Sequence, residues 1–163
     1  MSVPKVRALA AQDGPSAREL VHSAYGGTCH LVRTLELLKI ALTGSDPECL
    51  GMVSTAGDKS VDGLLFYGSV GGAAGLIKVH VLAGAIMARL TALLGSARDL
   101  DSFRGARMFM CELSDAPEHA RASAALIAFG FTCEASIADY FADGLTLNVL
   151  VQRRPGDISP RRK

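Results

Sequence analysis

The chain has 163 residues and a mass of 17.1 kDa, the size of one domain whose core needs no disulfide or metal staple. Hydrophobic residues make up 49% and charged residues 20%, with a mean hydropathy of +0.27, which excludes an intrinsically disordered chain. A net charge of +1 supplies no electrostatic footprint for nucleic acid, and an aromatic content of 6% without Trp argues against base-stacking platforms and interfacial belts.

In chain order, Val6 to Ala11 reads as a short strand ended by Asp13-Gly14-Pro15. Pro15 in a first turn and Ser16 in the cap region predict a helix, with Ala17, Leu20, Val21 and Ala24 at helical spacing until Gly26-Gly27. A second helix is expected over His30 to Leu42, with Leu31, Leu35, Leu38 and Leu42 on one stripe and a stop at Gly44. Cys49 to Ala56 and Val61 to Val70 read as antiparallel strands joined by the turn Gly57-Asp58-Lys59-Ser60. The run Gly68 to Gly75 lacks the spacing of a phosphate loop, so its glycines predict a hairpin connection. Leu64 to Ile77, which contains that run, is too short and too rich in glycine to cross a bilayer as a helix.

Leu76 to Leu82 is the next expected strand, followed by a helix from Gly84 to Ser96 with Ile86, Leu90, Leu93 and Leu94 buried. Asp99 to Gly105 reads as a polar crossover and Arg107 to Leu113 as an interior strand. Ser114 to Glu118 offers capping residues and a first-turn proline for a helix that should stop at Gly130. Two last strands, Phe131 to Ala138 and Leu145 to Arg153, flank the turn Asp139 to Gly144. The order β-α-α-β-β-β-α-β-α-β-β predicts an α/β fold: one domain over 1–154 with a mixed, mostly antiparallel central sheet flanked by helices, then a loose basic tail at 155–163.

Cys29, Cys49, Cys111 and Cys133 form no C-x-x-C pair and read as reduced thiols. His22, His30 and His119 show no ligand spacing, so no metal is expected. The opening residues lack the apolar segment of a secretory signal, which makes the cytoplasm the expected compartment; no membrane or nucleic-acid partner is expected, and the apolar composition is compatible with a homodimer.

Cys111-Glu112-Leu113-Ser114, Pro117-Glu118, Gly130-Phe131, Ala135, Ile137, Asp139-Tyr140-Phe141 and Gly144 together resemble a subgroup of the GNAT superfamily of acyl-CoA-dependent N-acetyltransferases. Motif-level likeness covers roughly Arg107 to Arg153, while the element order agrees from Lys5 to Arg153. The resemblance implies acetyl-CoA or another acyl-CoA as cosubstrate. Its pantetheine arm would lie between strands splayed at Val79, Val81 and Leu82, and its diphosphate at the helix start near Gly84, Ala85 and Ile86. The sequence departs from that pattern in the shortened phosphate turn, where Val81 and Ile86 replace the usual residues and Arg89 is the candidate compensating cation. Leu126 stands where the family's tyrosine acid is found, so transfer is expected to proceed slowly without that acid.

Glu112 is a candidate base for the incoming amine, or else a strand-end carboxylate paired with an arginine. His80 is a second candidate base, its ordinary pKa near 6.5 suiting the task, or else a hydrogen-bonded core residue with Val79 and Val81 facing the other way. Tyr140 is expected to wall the acceptor pocket, which loops at Gly26 to His30 and Asp139 to Gly144 would shape. The function implied is transfer of an acetyl or short acyl group to a small-molecule or peptide amine by direct attack. The alternative is a catalytically impaired module of the same fold serving as an acyl-CoA sensor or protein-interaction partner.

Overall fold

The structure is a computed structural model that describes residues 5–55, 60–70 and 75–154. In chain order its elements are β1 (Lys5–Ala8), α1 (Gly14–Tyr25), α2 (Leu31–Thr43), β2 (Leu50–Thr55), β3 (Val61–Ser69), β4 (Leu76–Gly84), α3 (Met87–Arg98), α4 (Asp101–Arg104), β5 (Met108–Ser114), α5 (Ala120–Ala128), β6 (Thr132–Ala142) and β7 (Leu145–Arg153). The strands make one seven-stranded sheet in the order β1-β2-β3-β4-β5-β7-β6. Only β4 and β5 pair in parallel, as the intervening helical crossover requires; the other neighbours are antiparallel. The expected mixed, mostly antiparallel sheet with flanking helices is what forms.

Both faces of the sheet are covered. On one, α1 and α2 place Ala17, Val21, Tyr25, Leu37 and Leu38 over Val53, Leu64, Phe66 and Val81. On the other, α3 and α5 bring Leu90, Leu93, Leu94, Ala122, Ala125 and Leu126 against Leu65, Val79, Cys111 and Leu150. The central strand β3 therefore buries Leu64, Leu65 and Phe66 completely, alternate residues entering opposite cores. No helix among the described residues is long and apolar enough to cross a membrane.

Several boundaries differ from the sequence reading for identifiable reasons. β1 stops at Ala8, and a 3-10 turn over Ala11–Asp13 leads into α1. Ser16 does not cap that helix; its Oγ accepts the Val61 N–H at 2.8 Å and ties α1 to the start of β3. β4 runs through Gly84, so α3 begins at Met87 rather than at the glycine. The expected polar crossover contains the single-turn α4, whose Phe103 is 4% exposed and stacks on Phe109 at 5.2 Å. Gly68 lies inside β3 instead of in the hairpin. β6 runs on to Ala142 because residues 138–141 bulge out of its pairing with β7, with Asp139 at φ 54 and its Oδ1 accepting the Gly144 N–H at 2.7 Å. The turn expected at Gly57 to Ser60, part of the glycine run, and the tail fall wholly or partly outside the described residues.

Candidate active site

β4 and β5 pair from Leu76 with Met108 to Val79 with Cys111, and there the pairing ends. The cause is local. Against β3, Val81 faces Phe66 and Val79 faces Tyr67, so His80 is an extra residue in β4, a bulge. The bulge reverses the alternation: Val79 enters the core under α3 and α5, whereas Val81 enters the core under α1 and α2. This corrects the expectation that the two valines share one face opposite His80. Beyond the bulge β4 follows β3 to Gly84, β5 follows β7 to Ser114, and the two parallel strands part.

Cavities open beside the gap. One, of about 310 Å³, is bordered by Lys78, His80, Glu112, His30, His119 and Tyr140. The other, of about 350 Å³, is bordered by Leu82, Gly84, Glu118, Arg121 and Ala24. Tyr25, 2% exposed, borders both, and burial raises the pKa of its phenol, which stays protonated at neutral pH.

Within the first cavity Glu112 pairs with a lysine rather than an arginine, its Oε2 accepting from Lys78 Nζ at 2.6 Å. His80 lies 3.1 Å through Nε2 from the Glu48 carbonyl, a contact that places a proton on that nitrogen. Burial lowers the pKa of His80, the Glu48 carbonyl opposes the shift, and the charges of Lys78 and Arg33 add to it. Tyr140 is 59% exposed at the cavity's edge and packs edge-on to Phe141 at 5.1 Å. Cys111, the last paired residue of β5, is fully buried with its thiol pushed up to about 12, too high for a thiolate nucleophile.

The structure also assembles a cluster that the sequence reading missed. Ser114 Oγ lies 2.7 Å from His119 Nδ1 and 3.1 Å from His30 Nε2, and Glu118 Oε1 lies 3.9 Å from the same His30 nitrogen. Phe141 packs edge-on to the His30 ring at 5.1 Å. Burial lowers the pKa of His30, with Glu118 opposing. Burial and the neighbouring His30 lower that of His119 to about 4. Ser114, Glu118 and His119 fall in one short stretch, of which Ser114 and Glu118 carry part of the resemblance, but His30 comes from the distant loop at Gly26 to His30, expected only to shape the acceptor pocket.

At the other end of the gap, the Ala85 N–H is donated to Asp62 O at 3.0 Å, and the exposed first turn of α3 follows from Met87. Ile86 is 42% exposed there. Arg89 does not reach toward the turn: its Nε is bonded to Asp62 Oδ2 at 2.7 Å, and its side chain is 13% exposed. The guanidinium beside the turn is instead that of Arg121, which donates to Gly84 O at 2.9 Å. Leu126 is completely buried in the core under α3 and α5.

The same overall arrangement of sheet and helices occurs in solved structures. A GNAT-family protein from Desulfovibrio desulfuricans superposes with a TM-score of 0.76, 21% identical over 92% of this chain and 98% of that one. The chain has the GNAT fold. The ribosomal-protein-alanine N-acetyltransferase of Brucella melitensis shares that fold with a TM-score of 0.69 and 15% identity over 92% of this chain and 99% of its own. So does the aminoglycoside 6'-N-acetyltransferase of Enterococcus faecium, at 0.70 and 9% over 93% and 99%. At the level of sequence, no family model and no curated protein matches. The GNAT fold is thus reached here by a divergent sequence.

Proposed function

We propose that the chain transfers an acetyl or short acyl group from an acyl-CoA to an amine by direct attack in a ternary complex. The observation that carries this reading is the end of β4 to β5 pairing at Val79 and Cys111, with a cavity on either side of Tyr25. Beyond Val79 the edge of β4 has no β5 partner, and backbone groups at Val81 and Leu82 are suited to a pantetheine amide chain. The diphosphate would meet Gly84, Ile86 and the first turn of α3, where helix amides and the dipole favour an anion. With the Ala85 amide and Arg89 engaged by Asp62, Arg121, bonded to the Gly84 carbonyl, is a cation beside that position. The amine would enter the cavity bordered by His80, Glu112 and Tyr140. Holding thioester and amine in one orientation does most of the work, and a thiol of pKa about 8.5 leaves without a strong acid, which fits the burial of Leu126.

Binding and transfer are separable tests. Acetyl-CoA at a hundred times its dissociation constant should stabilise the fold by about 2.7 kcal/mol, read as a raised melting temperature. Pantetheine should do only modestly less, and Arg121→Ala should narrow that difference. Thiol release from acetyl-CoA in the presence of a panel of primary amines measures transfer. A thermal shift without thiol release would leave an acyl-CoA-binding module, and neither signal would overturn the reading altogether.

A further inference from the structure

We infer that His30 is the base that takes a proton from the attacking ammonium group, with Ser114 and Glu118 as its positioning residues. This rests on the acyl-transfer reading of the same cavity. Four groups that could hold that proton border it: Glu112, His80, His119 and His30. They differ in what the added proton would meet. Glu112 already has the Lys78 ammonium at 2.6 Å on one oxygen. His80 has Nε2 at the Glu48 carbonyl, and an imidazolium there would face the positive charges of Lys78 and Arg33, which Asp46 offsets only in part. His119 is 6% exposed and turns Nδ1 to Ser114.

His30 differs from all three. Its side chain is 12% exposed at the cavity wall, and a carboxylate, Glu118, lies 3.9 Å from Nε2. That carboxylate favours a proton on Nε2, which then donates to Ser114 Oγ, while the Ser114 hydroxyl donates to His119 Nδ1. The chain of donors runs one way and leaves the lone pair of His30 on Nδ1. Around the ring stand Ser114 from β5, Glu118 and His119 from the turn before α5, and the uncharged edge of Phe141 from β6; Arg33 of α2 and Lys78 and His80 of β4 border the same cavity. His119, held neutral by burial, adds no opposing charge at neutral pH.

The step balances without another reactant. The ammonium gives one proton to Nδ1, and the nitrogen lone pair forms a bond to the thioester carbonyl carbon. The carbon–sulfur bond then breaks, and the thiolate takes the second nitrogen-bound proton. The imidazolium rests beside Glu118 until it loses its proton to solvent.

The test follows thiol release from acetyl-CoA with a primary alkylamine against pH, in wild type, His30→Gln, Glu118→Gln and His80→Gln. The wild-type kcat/KM should rise with pH along a limb below the ordinary imidazole value near 6.5, since His30 is shifted down. His30→Gln should lower the rate about a hundredfold and abolish that limb, and the loss should shrink for an arylamine that is already neutral. Glu118→Gln, which keeps the ring, should move the limb to lower pH because the imidazolium loses its carboxylate, so the test survives a His30 variant that fails to fold. His80→Gln should raise KM and retain the limb. A limb lost in His80→Gln and kept in His30→Gln, or unmoved in Glu118→Gln, overturns the assignment while transfer stands. Absence of thiol release in wild type overturns transfer and the assignment together.

Discussion

Asp13 is 4% exposed, and its two oxygens accept from the Arg7 guanidinium at 2.6 Å each, while Oδ2 also accepts the Ala10 N–H at 2.8 Å. The Arg7 hydrogen bonds hold the Asp13 carboxyl below the usual range despite its burial. Its contribution to stability is therefore present above the unfolded pKa of about 3.9 and is lost as pH falls through the lower folded value. Asp13→Ala should cost about 2 kcal/mol in urea denaturation at neutral pH, and the gap to wild type should close below about pH 4. A gap that persists in acid would mean the cost is one of packing. Pairs of this kind are hard to read from a chain. Ser114 and His30 are 84 positions apart, and only folding shows that they touch. Arg89 was visible as a cation, but it lies on α3 and its partner Asp62 on β3, which only folding brings together.

Elements were easier to read than their ends. Apolar spacing gives α1 and α2, because helix periodicity is repeated over several turns, capping residues and a first-turn proline announce α5, and β7 falls at Leu145–Arg153 as expected. A bulge adds one residue and leaves no such trace, so His80 could not be recognised as the point where β4 turns away from β5. The parallel pairing was legible from the crossover; the place where it stops was not. Gly68 shows how neighbouring elements hold that place. A Cβ there would collide with the Glu48 carbonyl, the group that lies against His80 Nε2. Gly68→Ala should push the loop before β2 away from β3, with a loss above about 3 kcal/mol by denaturation. It should also release His80, whose ring signals in NMR should titrate nearer the ordinary imidazole value, because burial is the larger influence and the carbonyl the smaller. An alanine variant of wild-type stability would show that the loop can give way without cost.

At the scale of the molecule, three imidazoles are buried or half-buried around the opening in the sheet, and His30, His80 and His119 are all shifted toward the neutral form. Two cores meet at that opening, so the site is stabilised by the same packing that closes the fold. The cost is a dependence on pH. For His119 the folded value is about 4 against about 6.5 unfolded, so between these limits the unfolded chain binds the proton that the folded chain refuses. Stability is then complete above about pH 6.5 and falls as pH drops toward 4, a window that lies just above the one in which the Asp13 contribution is lost. His119, at 6% exposure, accounts for up to about 3 kcal/mol of that fall, with His30 and His80 adding in the same direction. Urea denaturation at about pH 7.5, about 5.5 and about 4.5, which spans the window, should show the decline. His119→Asn, which keeps a polar atom facing Ser114, should start less stable and lose less on acidification. Equal slopes for the two proteins would mean that His119 charges without unfolding the opening between β4 and β5.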